Sequence, residues 1–231
     1  MKSLPPVITV DGPSGVGKGT LCQWLAMRLG WHLLDSGALY RLTALAALRR
    51  NLDLADEAGV ARVAVELDVD FVPDATGSML VLLDKMDMSD TLHSEATGNA
   101  ASQVAALPAV RIALLQRQHN FRRAPGLIAD GRDMGTVVFP DADLKLFLTA
   151  SAGERAYRRY KQLIKKGMNA NLEHIVKEIA ERDARDTQRM VAPLKPAADA
   201  ETLDTTQLDI TQVCERVSTL VNQRLQVQVI P

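Results

Sequence analysis

Gly12, Gly17 and Lys18 stand in the register of the phosphate-binding pattern G-x-x-x-x-G-K-S/T, inside the run DGPSGVGKGT at residues 11–20. The chemistry such a run supports is anion binding by backbone. Glycines let the chain wrap a phosphate with its own N–H groups, because positive φ and a missing Cβ permit the close approach. A helix N-terminus directly behind adds unpaired N–H groups and a favourable dipole. Lys18 adds a mobile cation that follows charge as a terminal phosphoryl group departs. Pro13, Ser14, Gly15 and Val16 complete the loop. One position departs from the pattern: Gly19 stands where a metal-binding hydroxyl is usual, and Thr20 follows one residue late.

A second set of residues suggests what accepts the phosphoryl group. A hydrolase positions water, whereas a kinase grips a second phosphorylated substrate, which calls for arginines converging from separate segments. LLDSGALYR carries Ser36 and Arg41, IADGRDMG carries Arg132 and Asp133, and ERDARDTQR carries Arg182, Arg185, Asp186 and Arg189. Each alone also reads as a solvated helix laced with ion pairs, or as a loop salt bridge. Together with the glycine loop, and each near an expected ligand-side strand end, they read as a phosphate-gripping set. The basic stretch Gly153–Gly167, with Arg155, Arg158, Arg159, Lys161, Lys165 and Lys166, is expected to close as a lid, bringing Arg158 among others onto the donor phosphates.

The elements that must position these residues follow from hydrophobic patterning. Val7–Val10 is a β-branched run that reads as a buried strand. Leu21, Trp24, Leu25 and Leu29 form one face of a helix that stops at Gly30. Trp31–Gly37 reads as a second short buried strand, followed by an alanine- and leucine-rich helix. From about Leu52 to Met88 the pattern changes: VDFVP and SMLVLLD flank the turn-rich Asp74-Ala75-Thr76-Gly77, which predicts an antiparallel hairpin, with a third short strand near Lys85–Met88. Helical pattern resumes through EATGNAASQVAAL and AVRIALLQRQHNFRR. Gly126–Gly131 and Leu144–Ala150 read as buried strands, Ser151–Arg189 as charged helix broken at Gly167, and Thr202–Thr205 as a last strand. The closing helix carries Val213, Val217, Leu220, Val221 and Leu225 on one face. Strands alternating with helices predict an α/β fold with an open, mostly parallel sheet, its ligands at the carboxyl ends of the strands.

The chain has 231 residues, net charge −1 and two cysteines, Cys22 and Cys214. That charge offers no field for nucleic acid or an anionic membrane. Two distant cysteines make neither a disulfide framework nor a metal motif. The opening apolar run is too short for a signal peptide or a membrane span, so the expectation is a cytoplasmic protein. Without a heptad or a long apolar stripe, a monomer is expected.

DGPSGVGKGTL, LLDSGALYR, NAASQVA, GLIADGRDMGTVVFPDA and ERDARDTQR together resemble the bacterial cytidylate kinases, across essentially the whole chain. The loop string G-x-G-K-G-T is likewise similar to that of adenylate-kinase-like nucleoside monophosphate kinases. The resemblance implies a P-loop kinase fold: a five-stranded, mostly parallel sheet flanked by helices. It further implies a lid over about residues 153–190 and a monophosphate-binding arm at 36–106, with a small antiparallel insert at about 60–90. It implies transfer of the γ-phosphoryl of ATP to CMP or dCMP, with Mg²⁺. By the same resemblance Gly15, Gly17, Lys18 and their neighbours hold ATP phosphates, and Ser36, Arg41 and Arg132 contact the CMP phosphate. Arg189 reaches the phosphates between the nucleotides, Ser102, Arg111 and Asp133 read cytosine, and Arg182 and Asp186 hold the ribose. Lys18, Arg132 and Arg189 are the expected catalytic set.

The chemistry agrees with that assignment. A carboxylate at Asp133 can accept from the cytosine amine, while Arg111 and Ser102 can serve ring N3 and O2. Uracil reverses the donor pattern and would leave buried polar groups unpaired. No general base is required, since the acceptor is already a phosphate dianion; His32, His93, His119 and His174 carry no assigned role. No direct side-chain ligand to Mg²⁺ is expected. Phosphates and waters hold the ion, which keeps waters readily. Thr20 or Asp130, with Asp35 as alternative to the latter, could order those waters. A GTP-driven switch would need an N-K-x-D segment, which is absent. A nucleic-acid motor would show an acidic Asp-Glu pair ending a strand and a basic surface. The Ser102/Arg111/Asp133 set and the insert disfavour an adenylate- or shikimate-type kinase.

Overall fold

Val7–Asp11 (β1) is fully buried and lies at the centre of a five-stranded parallel sheet. The computed structural model describes residues 4–73, 79–92, 94–165, 167–225 and 229. The expected turn at residues 74–77, together with His93 and Lys166, lies outside them. The sheet order is β2-β6-β1-β7-β8, with β2 at His32–Asp35, β6 at Leu127–Gly131, β7 at Leu144–Thr149 and β8 at Glu201–Asp204. A central parallel strand is covered on both faces, which is why VITV carries no polar alternation.

Two expectations shift here. Residues 32–35 form an edge strand, not a buried one: Leu34 is buried, Leu33 half-buried, and His32 and Asp35 are exposed. The strand is paired on one side only, so half of it can face solvent. The last strand runs Glu201–Asp204, one residue earlier than the pattern suggested.

The chain packs as two units, Met1–Asp35 with Gln118–Pro231, and Ser36–Arg117. In the first, α1 (Lys18–Leu29) and α9 (Ile210–Leu225) pack on the sheet. Their Leu21, Leu25, Val213, Val217 and Val221 share one core with Ile8, Val10, Ile128 and Leu146. A π-helical turn, Met134–Val138, follows β6. The same unit holds the packed pair α7 (Ala152–Lys165) and α8 (Leu172–Gln188), which share a small apolar cluster of Ala156, Ile175 and Ile179.

The second unit begins with α2 (Ser36–Arg49), which packs along α5 (Glu95–Val104). It also holds α3 (Glu57–Val65), α4 (Ser89–Leu92) and most of α6 (Pro108–His119). Its antiparallel sheet joins β3 (Val69–Pro73), β4 (Met79–Leu83) and β5 (Met86–Asp87). Leu42, Val63, Leu67, Leu83 and Leu92 form its core. The expected antiparallel strand pair and third short strand are present, but α3 was not anticipated from the apolar pattern. Its start is written in the sequence: Asp56 accepts from the Gly59 N–H as an N-cap.

Candidate active site

The C-terminal ends of β1 and β6 lie side by side, with Val10 opposite Asp130 and Asp11 opposite Gly131. The glycine loop leaves β1 between them. Gly12 has φ +146°, and a Cβ there would stand 2.2 Å from the Leu148 carbonyl oxygen. Only glycine lets the chain leave the strand this close to its neighbour. Gly17 caps α1 in the left-handed region, and Lys18 is the first helical residue.

Lys18 is buried, and its Nζ donates back to the Pro13 carbonyl at 2.8 Å. Burial, with Arg132 beside it, pushes the ammonium down to about 7, against the pull of Asp130, Cys22 and Asp11. A phosphate dianion over the loop would restore the charged form. Gly19 is exposed at the start of α1. A Cβ there would meet only the Asp130 carboxylate, at 3.7 Å. The acidic residue proposed to order metal waters therefore lies beside the position that lacks a hydroxyl.

Five of the expected residues in this unit come together behind the loop. Arg132, just past β6, donates from Nε to the Asp186 carboxylate at 3.0 Å. Next to it Asp133 lies 3.5 Å from Arg189 Nη2, and both side chains are buried. Adjacent residues of one segment thus pair with opposite charges on α8 and its C-cap. Burial opposes charge on Asp186, but Arg132, Arg182 and Arg189 outweigh it and hold its carboxyl below the usual range. Burial likewise works against the Arg132 cation, while Asp186, Asp130 and Asp11 hold its pKa up. Of the two residues expected to hold ribose, Asp186 is hydrogen-bonded to Arg132.

Ser36, Arg41, Ser102 and Arg111 belong to the second unit. Ser36 opens α2 and is buried; Arg41 lies on the same helix, half-buried. Ser102 on α5 and Arg111 on α6 are both buried. Arg111 donates to the Ala105 carbonyl at 3.2 Å and lies over the Tyr40 ring, 5.7 Å from its centroid.

The basic residues of α7 divide into different roles. Arg155 is 4 % exposed and grips Asp183 of α8 with both terminal nitrogens, at 3.1 and 2.5 Å. It also donates to the Ser14 carbonyl of the phosphate loop at 3.2 Å. Arg158 donates to Glu154, to Thr205 Oγ1 and, at 2.6 Å, to the Thr205 carbonyl. Thr205 is buried and donates to the Val16 carbonyl. Neither Arg155, Asp183 nor Thr205 stood out in the sequence as a support for the loop, since the partners lie 28 or more positions apart. Among the described residues, no group of three or more His, Cys, Asp or Glu is arranged to hold a metal ion.

Asp11 was also passed over. It is 4 % exposed, and its two carboxylate oxygens accept from the Met134 and Gly135 N–H groups, each at 2.8 Å. Burial pushes it up to about 7, against those N–H groups and Lys18, which favour the ionised form. An acidic residue ending an otherwise buried strand was the available signal.

Comparison with known proteins adds three facts. The family model described as cytidylate kinase matches residues 8–223. The cytidylate kinase of Aeromonas hydrophila subsp. hydrophila is 57% identical over 225 residues, covering 97% of each chain. That of Pseudomonas fluorescens (strain Pf0-1) is 59% identical over 218 residues, covering 94% of this chain and 95% of the relative.

Proposed function

The chain belongs to the cytidylate kinase family of nucleoside monophosphate phosphotransferases, and on that footing we propose that it transfers the γ-phosphoryl group of ATP to CMP and dCMP, giving ADP with CDP or dCDP. The observation that carries the reading is the meeting of Lys18, Asp130, Arg132, Asp186 and Arg189 around a glycine cradle at the ends of β1 and β6. Three cations with supporting carboxylates suit two phosphate chains brought close together, which a hydrolase would not need.

In this reading the amides of residues 12–20 and Lys18 hold the ATP phosphates. The residues present fit that group: Gly12, Gly15 and Gly17 all take positive φ, and Lys18 follows as the first residue of the helix. Ser36, Arg41 and Arg132 take the CMP phosphate, and Arg189 spans the charge between donor and acceptor. Asp133, Arg111 and Ser102 read the cytosine edge, while Arg182 and Asp186 hold the ribose. Asp186 can do so while bonded to Arg132, since each carboxylate oxygen accepts more than one hydrogen bond.

Mg²⁺ would supply charge neutralisation for the phosphates when bound, and Thr20 and Asp130 are suited to order its waters. No residue is asked to act as general base, because the attacking oxygen is already ionised. The work of the chain is alignment and electrostatic support. The helices α7 and α8 exclude water as they close, and Arg158 exchanges its carbonyl partners for ATP phosphates. The protein is proposed to act as a cytoplasmic monomer on free nucleotides. No helix among the described residues is long and apolar enough to cross a membrane.

A coupled assay of ADP release with ATP and a panel of CMP, dCMP, UMP, AMP and shikimate tests the proposal. Fast turnover is expected with CMP and dCMP. Turnover with AMP and none with CMP would overturn it.

A further inference from the structure

Asp133 occupies the N-cap of the π-helical turn Met134–Val138, with φ −148° and ψ 24°, yet its side chain makes no capping hydrogen bond. An aspartate at an N-cap ordinarily turns its carboxylate back onto the first N–H groups of its own helix. Here the first two of those groups are already taken. Asp11, at the end of the neighbouring strand, accepts from Met134 N with one oxygen and from Gly135 N with the other. The Asp133 carboxylate is left to point elsewhere, 3.5 Å from Arg189.

The arrangement is held from several sides. β1 and β6 pair in register through Asp11 and Gly131, so the acceptor that caps the turn is fixed by the sheet. A Cβ at Gly135 would lie 2.8 Å from Thr9 Oγ1 on the same strand, so the turn sits directly against β1. Gly12, the first residue of the phosphate loop, follows Asp11 without a spacer.

We propose that Asp11 is a positioning residue that caps the 134–138 turn in place of Asp133, and thereby releases the Asp133 carboxylate to read the acceptor base. The proposal rests on the reading of Asp133 as the residue that accepts from cytosine. Asp11 touches neither nucleotide in this scheme. It acts through the direction of the neighbouring carboxylate, and it ties the acceptor-reading segment to the strand that carries the donor's phosphate loop. Without it, the unsatisfied N–H groups at 134 and 135 draw Asp133 back into the cap.

The test is the ratio of kcat/KM for CMP to kcat/KM for UMP, taken within one preparation so that the folded fraction cancels. Asp11→Asn keeps the volume and one acceptor, but turns an amide N–H toward a backbone donor. Asp11→Ser is the second variant, without buried charge, for use if the first does not fold. Either should lower the CMP/UMP ratio by about tenfold, the effect of a single mispaired buried polar group. The KM for ATP should stay within about threefold of wild type, while Asp133→Asn gives a comparable or larger loss of ratio. A residue that only stabilised the fold would lower turnover of both substrates equally and leave the ratio alone. If Asp133→Asn loses the ratio and a folded Asp11 variant keeps it, the inference fails while the cytosine assignment stands. If Asp133→Asn itself keeps the ratio, the cytosine assignment fails and takes this inference with it.

Discussion

The phosphate loop and the α7–α8 helix pair meet at the ends of β1 and β6, but they are held there by opposite means. The loop is a backbone construction: Gly12 leaves the strand under the Leu148 carbonyl, and Lys18 folds onto the Pro13 carbonyl five residues away. The helix pair is a side-chain construction. Arg155 is locked to Asp183, 28 residues on, and Asp186 to Arg132, 54 residues back. A backbone site specifies itself locally, so its tolerance to change is decided by φ and by the space at one Cα. A side-chain site depends on charges that other segments must deliver, so its tolerance is decided by what remains when a partner is lost.

The sharpest break of that contrast is Gly12→Ala. A Cβ 2.2 Å from a backbone oxygen, at φ +146°, cannot be accommodated by rotating a side chain. Strain in such a region and forced overpacking each amount to ~1–3 kcal/mol, so a loss of about 4 kcal/mol is expected in chemical denaturation. A variant within about 1 kcal/mol of wild type would show that the loop can be rebuilt around a side chain.

Asp183→Ala is the matching change in the helix pair and should be somewhat milder. It leaves the Arg155 guanidinium buried, though still bonded to the Ser14 and Ala150 carbonyls. Breaking a buried pair costs ~3–5 kcal/mol. Asp183 is 26% exposed, so water can reach the vacated position, and about 2–3 kcal/mol is the better expectation. The double variant Arg155→Met with Asp183→Leu should recover much of that loss, because no charge is left stranded. Denaturation curves of the three proteins decide it. A double variant no better than Asp183→Ala would mean that the Ser14 contact, not the buried pair, carries the effect.

The same contrast explains what could be read from the chain alone. Gly12, Gly17, Lys18 and the buried β1 were legible because their reasons are local. The mostly parallel sheet followed from alternation with helices and its five strands from the family resemblance, but the order of the strands and the exposed edge position of residues 32–35 needed the fold. The helix at 57–65 was missed because its apolar face, Val60, Val63 and Ala64, is short and runs into a strand pattern; Asp56 as its cap was the overlooked signal. Arg132, Asp133, Asp186 and Arg189 stood out as residue types, but their pairing needed the fold. The placing of Arg155 was the least legible. In sequence it is one of six basic residues on a stretch that reads as a closing lid, and nothing local separates the one tied to Asp183 from Arg158 one turn later, tied to Thr205.

The smallest expected effect lies inside the loop region and sharpens the comparison from within. Gly19 shares a motif with Gly12, but its backbone is not in the left-handed region, and an added methyl would find only Asp130 Oδ2 at 3.7 Å. At the start of α1, replacing glycine by alanine removes unfolded-state freedom and adds helix propensity, worth ~0.5–1 kcal/mol in favour of folding. Gly19→Ala should therefore raise the melting temperature by about 1–4 °C, where Gly12→Ala lowers it. If the stabilised variant also turns over CMP normally, the missing hydroxyl at this position reflects a metal held by phosphates and waters alone. If stability rises while turnover falls more than about tenfold, the space beside Asp130 is taken by phosphate or by a metal-bound water, and glycine is kept there for room and not for φ. Either outcome separates the two glycines by physical cause, which the shared motif cannot do.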